Sequence, residues 1–501
     1  MKKVLRNGIL GAFLALGTLV QAQENNAFLN REFWGAKPSV ETVDLKIKEG
    51  NDPTQLNGSS FDPVAYAILQ EAPNATIKHL LGIKGNDVNK LTHDGRTYIF
   101  WAASKGNIEI MEYLLKHGAK TDILDNHGYS ILNFAAAGGQ KNTKVYDLCL
   151  ANGANLKTDL DHHGANALLL ASQRDTDFSL INYFTSKGLD LNSKDADGNG
   201  IFNYVAKSGN IKMLNQLIEK GVDYKTLNNE GGNAMIFASA GGRRGNTNGL
   251  DVFKFLESKG IKANVKTTKG LTPLHGLASG SKDIAVINYF LDKGVDVNQA
   301  DQNGNTPFLN AASRNNLEIV TLLQKHVKDV NLTNKKGESA LALAVQGNTT
   351  DVVSFLIEKG ADVQVVDASG NNLTAYLIKS FSPKKEAEFN AKLALLTAKG
   401  LDISKPQANG NTLFHLALDQ NQFELLNLAK QNKVDINAEN NEGITPLLKS
   451  AMSSKDDKVL KFLLDNGADK SIKTEFDETA YDLAQENELL KANNVNINFL
   501  K

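Results

Sequence analysis

The sequence predicts an all-α repeat solenoid, in which short helix–turn–helix units stack side by side. A phrase that runs Gly270-Leu-Thr-Pro-Leu-His-Gly-Leu-Ala278 returns with variations along the chain. Its leading glycine recurs at intervals of 33 to 40 residues, a period typical of repeat architectures. Each interval also contains two short segments with apolar residues at helical spacing. One such unit buries too little apolar surface to fold alone, so neighbouring units should share a continuous core.

The chain begins with a targeting pattern. Three basic residues among the first six precede a twelve-residue apolar run over residues 9–20, and Val20-Gln21-Ala22 supplies the small residues of a cleavage site. Twelve residues fall short of the ~20 that span a bilayer. We therefore predict a bacterial signal peptide over residues 1–22. Cleavage after Ala22 would give a periplasmic or secreted protein with no membrane insertion.

Composition limits the partners and the chemistry. The formal net charge of -1 is too balanced to indicate a nucleic acid partner. Cys149 is the only cysteine, so no intramolecular disulfide can form, and the cysteine that carries a lipid anchor after a cleavage site is missing. Cys149 aligns with Leu114 on the apolar stripe of a predicted helix, where we expect a small core residue. No cofactor is expected, and a capped solenoid is commonly monomeric.

Thirteen frames can be read from the position of the leading glycine. Eleven frames carry this glycine, at Gly95, Gly128, Gly164, Gly198, Gly231, Gly270, Gly304, Gly337, Gly370, Gly410 and Gly443. A degenerate copy extends each end, with Ser60 and Asp477 in the glycine position. We therefore predict an N-terminal capping region over residues 23–57, about thirteen repeats in one continuous solenoid over residues 58–485, and a C-terminal cap or tail over residues 486–501.

The first element of each frame is a short helix that begins at a capping residue. Thr272-Pro273, Thr306-Pro307 and Thr445-Pro446 place a hydroxyl cap directly before a proline at the first helical position. This helix should end near Gly106-Asn107 in one frame and near Gly209-Asn210 in another. The frames therefore predict a first helix of only about two turns.

The second helix is amphipathic and ends at a glycine. In one frame its apolar stripe consists of Ile108, Ile110, Met111, Leu114 and Leu115. The left-handed residue that ends a helix is supplied by Gly118, Gly221, Gly294, Gly360 and Gly467. A turn rich in Asp and Asn, such as Asp301-Gln302-Asn303-Gly304, then predicts a tight β-hairpin before the next frame.

The repeated phrase resembles ankyrin repeats. Gly-x-Thr-Pro-Leu-His-x-Ala, followed by Leu-Leu-x-x-Gly-Ala-Asp at a 33-residue period, covers the chain from about Arg31 to about Ala484. The resemblance implies a curved stack whose first helices line a concave face and whose hairpins project as fingers. It also implies a non-catalytic protein that binds other proteins. Only His275 and His415 keep the histidine of the family, and several frames lose the Thr-Pro pair, so those frames should be less rigid.

Two frames are longer than the others, at 39 and 40 residues. The additional residues lie between the two helices of the frame, in Gly241–Gly249 and in Ser380–Glu386. The glycine-rich segment lacks the Gly-Lys-Ser/Thr ending of a phosphate-binding loop and follows a predicted helix instead of a strand. We therefore interpret both segments as insertions, and Arg243 and Arg244 could contact an acidic partner.

One turn resembles the start of a calcium loop. Asp195, Asp197 and Asn199 have the spacing of the first three ligands. The twelfth position, which must supply a bidentate carboxylate, is Ala206. The segment also stands in register with every other hairpin, so we predict an ordinary turn.

Four histidines lie at the predicted tips of adjacent fingers: His93, His127, His162 and His163. Of these, His127 and His163 are the candidate zinc ligands, because neutral imidazoles bind zinc well. Fingers that stand on the order of 10 Å apart would have to converge on a metal at about 2.0–2.1 Å. Solvated tips are therefore the favoured interpretation, and no metal site is predicted.

The candidate partner-binding residues lie on the fingers and on the first helices. Residues directly after the turns should be exposed, namely Arg96, Tyr129 and Asn199. Residues near the ends of the first helices should face the concave side, namely Lys105, Arg174, Lys207 and Arg314. Trp101 adds aromatic area near this face, as interfaces favour. Its alternative role is ordinary packing between repeats.

The leading functional hypothesis is an exported scaffold for protein–protein interaction. Neither His-Glu-x-x-His nor Gly-x-Ser-x-Gly occurs, and nearly every residue belongs to a repeat, so no enzyme is predicted. One alternative is a protective or inhibitory partner of an exported enzyme or toxin. Another is a periplasmic protein that binds a metal or small ligand through the histidines at the finger tips.

Overall fold

The computed structural model describes residues 26–240 and 247–501. The predicted signal peptide, residues 1–22, lies outside the described residues, and so do Arg243 and Arg244. None of the helices within the two described ranges is long and apolar enough to cross a membrane.

The predicted all-α repeat fold is confirmed, because a pair of cap helices is followed by thirteen helix pairs in the described ranges. The α-helices are α1 (Arg31–Gly35), α2 (Val40–Lys48), α3 (Pro63–Leu69), α4 (Asn74–Leu81), α5 (Tyr98–Lys105), α6 (Ile108–Lys116), α7 (Ile131–Gly138), α8 (Lys144–Ala151), α9 (Ala167–Ser172), α10 (Ser179–Ser186), α11 (Ile201–Ser208), α12 (Ile211–Glu219), α13 (Ala234–Ser239), α14 (Leu250–Ser258), α15 (Pro273–Gly280), α16 (Ile284–Asp292), α17 (Pro307–Arg314), α18 (Leu317–Gln324), α19 (Ala340–Gly347), α20 (Thr350–Glu358), α21 (Leu373–Lys379), α22 (Glu386–Ala398), α23 (Leu413–Gln420), α24 (Phe423–Gln431), α25 (Pro446–Ser453), α26 (Lys458–Asp465), α27 (Ala480–Glu486) and α28 (Glu488–Ala492). Short 3-10 helices occupy Ala27–Leu29, His93–Gly95, Pro383–Lys385 and Asn498–Leu500. Within the same ranges, β-structure is limited to isolated antiparallel bridges, at Lys194–Gly200, Thr333–Ser339 and Lys473–Thr479.

The chain divides into two compact units. The first comprises the described part of Met1–Ala238 together with Asp251–Ile261, and the second comprises Ser239–Leu250 together with Lys262–Lys501. After the cap helices, the first unit holds the six pairs from α3/α4 to α13/α14, and the second holds the seven pairs from α15/α16 to α27/α28. In each unit, the first helices of successive pairs pack together, as α5 does on α7 and α15 does on α17.

The core is built mainly from the first helices. In α5, the six residues from Tyr98 to Ala103 are all buried, whereas α6 buries a stripe that consists of Ile110, Met111 and Leu114. The first helix is covered by neighbours on both sides, while the second keeps one face in solvent, as its spacing predicts. Helix α5 ends where predicted, at Gly106 in the left-handed conformation with φ of +69°.

Glycine is required at two kinds of position. Gly360 follows α20 with φ of +89°, and a Cβ there would meet nothing within 4 Å, so only the backbone conformation disfavours other residues. Gly337 lies in a turn with φ of +75°, and its Cβ would stand 2.5 Å from the backbone nitrogen of Ala368 in the next turn. The glycines predicted to end second helices are confirmed in the left-handed region: Gly118, Gly221, Gly294, Gly360 and Gly467.

Each turn is held together by its first residue. The Oδ1 atom of Asp125 accepts hydrogen bonds from the N–H groups of His127 and Tyr129, both at 2.9 Å. The N–H of Gly128 donates to the carbonyl of Asp125 at 2.9 Å. A short carboxylate or amide side chain is needed to make these local bonds, which explains why Asp and Asn recur at this position.

Within each unit, backbone hydrogen bonds join several neighbouring turns, and we call this line of bonds the turn ladder. In the first unit, the N–H of Asn126 donates to the carbonyl of Asp94 at 2.8 Å. In the second unit, the N–H of Lys335 donates to the carbonyl of Asn303 at 2.9 Å. Neighbouring turns are therefore in direct contact, although packed helix pairs repeat at about 10 Å.

Asparagine side chains form a second link between repeats, which we call the asparagine clamp. Asn331 donates from Nδ2 to the carbonyl of Gly360 at 3.1 Å and accepts at Oδ1 from the N–H of Asp362 at 2.8 Å. The same pair of bonds is made by Asn89, Asn298 and Asn437. Asn192 holds the equivalent position, but its side chain makes no such pair within the part of the chain that the structure describes.

The 40-residue frame contains its additional residues at the start of its second helix. Pro383–Lys385 forms a 3-10 turn that leads into α22, a helix of thirteen residues. Lys392 on this helix is buried and donates from Nζ to the carbonyl of Val345 at 3.0 Å. Burial lowers the pKa of Lys392. The insertion is thus tied to the body of the second unit.

Candidate partner-binding surface

Four predicted basic residues lie at the ends of first helices. Arg174 lies two residues after the end of α9, Lys207 lies in the last turn of α11, and Arg314 ends α17; all three are exposed. Lys105, the last residue of α5, is half-buried and forms an ion pair with Glu71 from Nζ to Oε1 at 2.5 Å. The placement on the first helices agrees with expectation. The role of these residues in binding stays a prediction.

The expectation that Arg96 is exposed is wrong. Its guanidinium lies between two turns, with Nη2 at 2.7 Å from Oδ2 of Asp125 and Nη1 at 3.0 Å from Oδ2 of Asp94. Its Cζ atom lies 4.3 Å from the centre of the Phe134 ring. A buried cation is stable here because two carboxylates and an aromatic face replace its hydration. Arg96 therefore joins two neighbouring repeats.

The expectation that Asn199 is exposed is also wrong. Its Nδ2 atom donates to Oδ2 of Asp195 at 2.9 Å, and its Oδ1 atom accepts from Nδ2 of Asn228 in the next turn at 2.8 Å. The carboxylate of Asp195 is occupied by its own turn and by the hydroxyl of Tyr204, which donates at 2.8 Å. These bonds agree with the prediction of an ordinary turn. Tyr129, in the same register position as Asn199, is half-buried.

Trp101 is buried. This agrees with the alternative prediction, in which Trp101 packs between repeats. Its Nε1–H donates to Oγ1 of Thr92, the first residue of its own turn, at 2.8 Å. Tyr376 makes the equivalent bond in the second unit, from its hydroxyl to Oδ2 of Asp367 at 2.7 Å. Tyr204 makes the bond in the first unit, as described above. In three of the described repeats an aromatic side chain of the first helix thus donates a hydrogen bond to the first residue of the turn.

Two of the tip histidines complete the turn ladder of the first unit. The Nδ1 atom of His93 donates to the carbonyl of Ser59 at 2.9 Å, and Nδ1 of His162 donates to the carbonyl of His127 at 2.8 Å. Each ring replaces a backbone N–H at a junction between turns. This role of the histidines was not predicted from the sequence, because it depends on contact between neighbouring turns.

The candidate zinc ligands lie apart from each other. The Nε2 atom of His127 lies 3.2 Å from Oδ2 of Asp94, whereas Nδ1 of His163 lies 4.0 Å from Oδ2 of Asp197. Burial raises the pKa of Asp94, but the hydrogen bond from His127 and the charges of His93 and Arg96 outweigh it and lower that pKa overall. Among the described residues, no group of three or more His, Cys, Asp or Glu side chains could hold a metal ion.

Cys149 is a core residue, as predicted. It is buried on α8, and burial raises the pKa of its thiol to about 12. A thiol with so high a pKa stays protonated and is a poor nucleophile.

A row of exposed leucines marks the first unit. Each leucine directly precedes the first residue of a turn, and we call the set the leucine row. The exposed fractions are 41% for Leu56, 63% for Leu91, 61% for Leu124, 42% for Leu160 and 52% for Leu227. Lys194 takes this position in the remaining repeat between them. In the second unit the position carries Lys266, Ala300, Thr333, Val366, Pro406, Glu439 and Lys473. Sequence analysis missed the row, although a comparison of this one position across frames reveals it.

Stacked helix pairs with linked turns over residues 26–240 and 247–501 define the class: an α-helical repeat protein. A family profile for ankyrin repeats (three copies) matches residues 64–159, 168–267, 244–334, 308–380 and 385–474. The chain therefore belongs to the ankyrin repeat family, and ankyrin repeats generally mediate protein–protein interaction.

Similar proteins include a putative ankyrin repeat protein of Rickettsia bellii, which is 32% identical over 147 residues, 29% of this chain and 77% of the relative. A putative ankyrin repeat protein of Fowlpox virus is 28% identical over 241 residues, 41% of each chain. An L-asparaginase of Dirofilaria immitis is 27% identical over 154 residues, 30% of this chain and 25% of the enzyme.

This chain spans only a small part of some relatives. It covers 25% of the L-asparaginase, 19% of a palmitoyltransferase of Lachancea kluyveri and 13% of a human transient receptor potential cation channel. The activities in those names belong to those proteins. The family itself is typically a non-enzymatic scaffold.

Proposed function

We propose that this protein is an exported, non-catalytic scaffold that binds another protein through the leucine row of its first unit. The single observation that carries the proposal is the exposure of a leucine at the same register position in five repeats. Scattered exposed leucines are normal on soluble proteins, but a contiguous row at one position is typical of interaction sites.

The energetics of the row favour a protein partner. Full burial of a leucine side chain stabilises a complex by roughly 1.5–3 kcal/mol, so several leucines that become covered together can support specific binding. The turn ladder holds them in place before the partner arrives, which reduces the entropy lost on binding. The turn residues themselves are held by polar contacts such as the Arg96–Asp125 ion pair, while the leucines that precede them stay exposed.

Basic residues on the first helices favour a partner that also carries acidic groups. Arg174 and Lys207 are exposed in the first unit and project from the ends of α9 and α11. Exposed charges of one sign speed the encounter with a partner of opposite sign and fix its orientation, and they add less to affinity than buried apolar contacts do. The leucine row therefore carries the affinity in this proposal, and the basic residues steer the encounter.

Affinity capture with matched variants tests the proposal. The tagged mature chain is incubated with envelope and extracellular proteins of the source organism, beside L91S/L124S and L332S. Leu332 is a suitable control because it is 45% exposed and lies in the second unit. We expect the wild type and L332S to retain the same partner and L91S/L124S to lose it.

The identity of the captured partner then refines the proposal. An exported enzyme or toxin whose activity changes on binding would assign a protective or inhibitory role. Equal capture by all three proteins would place the binding surface elsewhere and contradict the role of the leucine row.

A further inference from the structure

We propose that the leucine row holds an extended segment of the partner, with an apolar side chain at every third residue. This inference rests on the proposed function and adds to it the shape and the chemical pattern of what is bound. The spacing of the leucines, the width of the row and the charge that interrupts it each limit what can bind there.

The spacing of the leucines is set by the repeat. One leucine is contributed by each of four consecutive repeats, at Leu56, Leu91, Leu124 and Leu160. Packed helix pairs repeat at about 8–10 Å, and the turn ladder fixes neighbouring turns to each other. A polyproline II chain has three residues per turn, so every third side chain lies on the same face, and it advances about 3.1 Å per residue. Three residues of such a chain therefore match one repeat, and every third side chain can meet a leucine.

The width of the row selects an extended chain over a helix. An α-helix with apolar residues seven apart would also advance about 10 Å between contacts. Such a helix is about 10–12 Å wide and would cover more than the leucines. In four of the repeats, the residue two positions after the leucine is polar. These residues are His93, Asn126, His162 and Asn229. A polyproline II chain is more extended than an α-helix, with three residues per turn, so it can place one side chain on each leucine and leave these polar groups uncovered.

Lys194 gives the bound segment a direction along the row. It takes the leucine position in the fifth repeat, where it is exposed, and Leu227 resumes the row in the sixth. A bound segment should therefore present four apolar residues three apart, then an acidic residue, then a further apolar residue. An acidic residue opposite Lys194 would pair with its charge. An apolar residue there would leave that charge partly desolvated and unpaired by the partner.

Selection from a random peptide library tests this inference without knowledge of the natural partner. Random 18-residue peptides displayed on phage are selected against the full mature chain. We expect enriched sequences with apolar residues three positions apart and an acidic residue three positions beyond the fourth of them. For a selected peptide, L91S/L124S should weaken binding by at least about tenfold, and L332S should leave it unchanged.

A charge exchange provides the control for register. With K194E as the target, the acidic preference at that one position should change to Lys or Arg, while the apolar positions persist. The same peptides tested by anisotropy against wild type and K194E should show opposite preferences.

Several results would overturn the inference. A seven-residue apolar period would assign a helical partner, and enrichment without any period, or no enrichment, would contradict an extended one. If L91S/L124S binds the peptide as well as the wild type does, the peptide binds at a site other than the leucine row. If affinity capture of the natural partner is still lost in L91S/L124S, the proposed function stands and only the extended shape is rejected.

Discussion

At the scale of single residues, hydrogen-bond partners decide which predicted side chains reach the surface. Arg96 and Asn199 directly follow turn glycines, where exposure is expected, yet both are buried. Carboxylates of Asp125 and Asp195 hold them against the turns. The sequence alone does not reveal these hydrogen-bond partners, because they depend on how the turns fold and stack. Exposure at Arg174 and Lys207 was predictable, because a residue at the end of a short first helix has few neighbours.

Gly360→Val tests the backbone requirement at the end of a second helix. Because φ at Gly360 is +89° and no atom lies near its absent Cβ, the cost arises from the left-handed conformation alone. We expect a loss of about 1–2 kcal/mol in the free energy of unfolding, measured by urea denaturation. Gly138→Val is the control, because Gly138 also has open space around it but lies within α7; it should change stability by less than about 0.5 kcal/mol. Equal losses in both variants would refute this explanation.

The two family histidines predict a dependence of stability on pH. The Nδ1 atom of His275 accepts from the N–H of Thr272, and its Nε2 atom donates to the carbonyl of Asn305, which requires a neutral ring. His415 is bound in the same way, and burial lowers the pKa of both. The folded state therefore binds fewer protons than the unfolded chain. Stability is complete above pH 6.5 and is lost as the pH falls below it.

Denaturation at pH 7.5 and pH 5.5 measures this loss. We expect each histidine to account for at most about 1.4 kcal/mol between the two conditions. The variant H275L/H415L should show a smaller pH dependence, since Leu309 and Leu448 hold the equivalent position in other repeats. A pH dependence that the double variant retains in full would assign it to other groups.

At the scale of elements, the asparagine clamp distinguishes repeats that otherwise look alike. Asn331→Ala removes two hydrogen bonds to the following repeat. We expect this variant to lose about 1–2 kcal/mol of stability, measured by urea denaturation. Asn192→Ala is the matched control, because Asn192 holds the equivalent position without that pair of bonds, and it should lose less than about 0.5 kcal/mol. A similar loss in both would mean that the residue acts through its turn alone.

Elements were the part of the structure that the sequence predicted best. Proline and threonine at the start of first helices, and glycine at the end of second helices, act within one repeat, so their effects can be read locally. Helix α5 and its end at Gly106 follow this rule. The turn ladder and the roles of His93 and His162 could not be read in this way, because they depend on contacts between residues more than 30 positions apart.

At the scale of the whole molecule, the predicted export would most affect which partners are available. Residues 1–22 have the pattern of a cleaved signal peptide. We expect the mature protein to begin at Gln23, which N-terminal sequencing of the protein from envelope or culture medium would detect. Replacing two apolar residues of the run, in L14R/L16R, should keep the precursor uncleaved in the cell. Recovery of an uncleaved chain outside the cytoplasm would contradict this prediction.

The turn ladder has a consequence for how such a chain can change in length. Where the bond between turns joins one backbone N–H to one backbone carbonyl, as between Asn126 and Asp94, the junction does not depend on which side chains flank it. A recombination event that adds or removes one full repeat at such a place rebuilds the same junction. Where His93 or His162 makes the bond, the acceptor is again a backbone carbonyl, and the donor is carried by the repeat that follows. Gene duplication should therefore preserve these junctions wherever a whole repeat is copied together with its own turn.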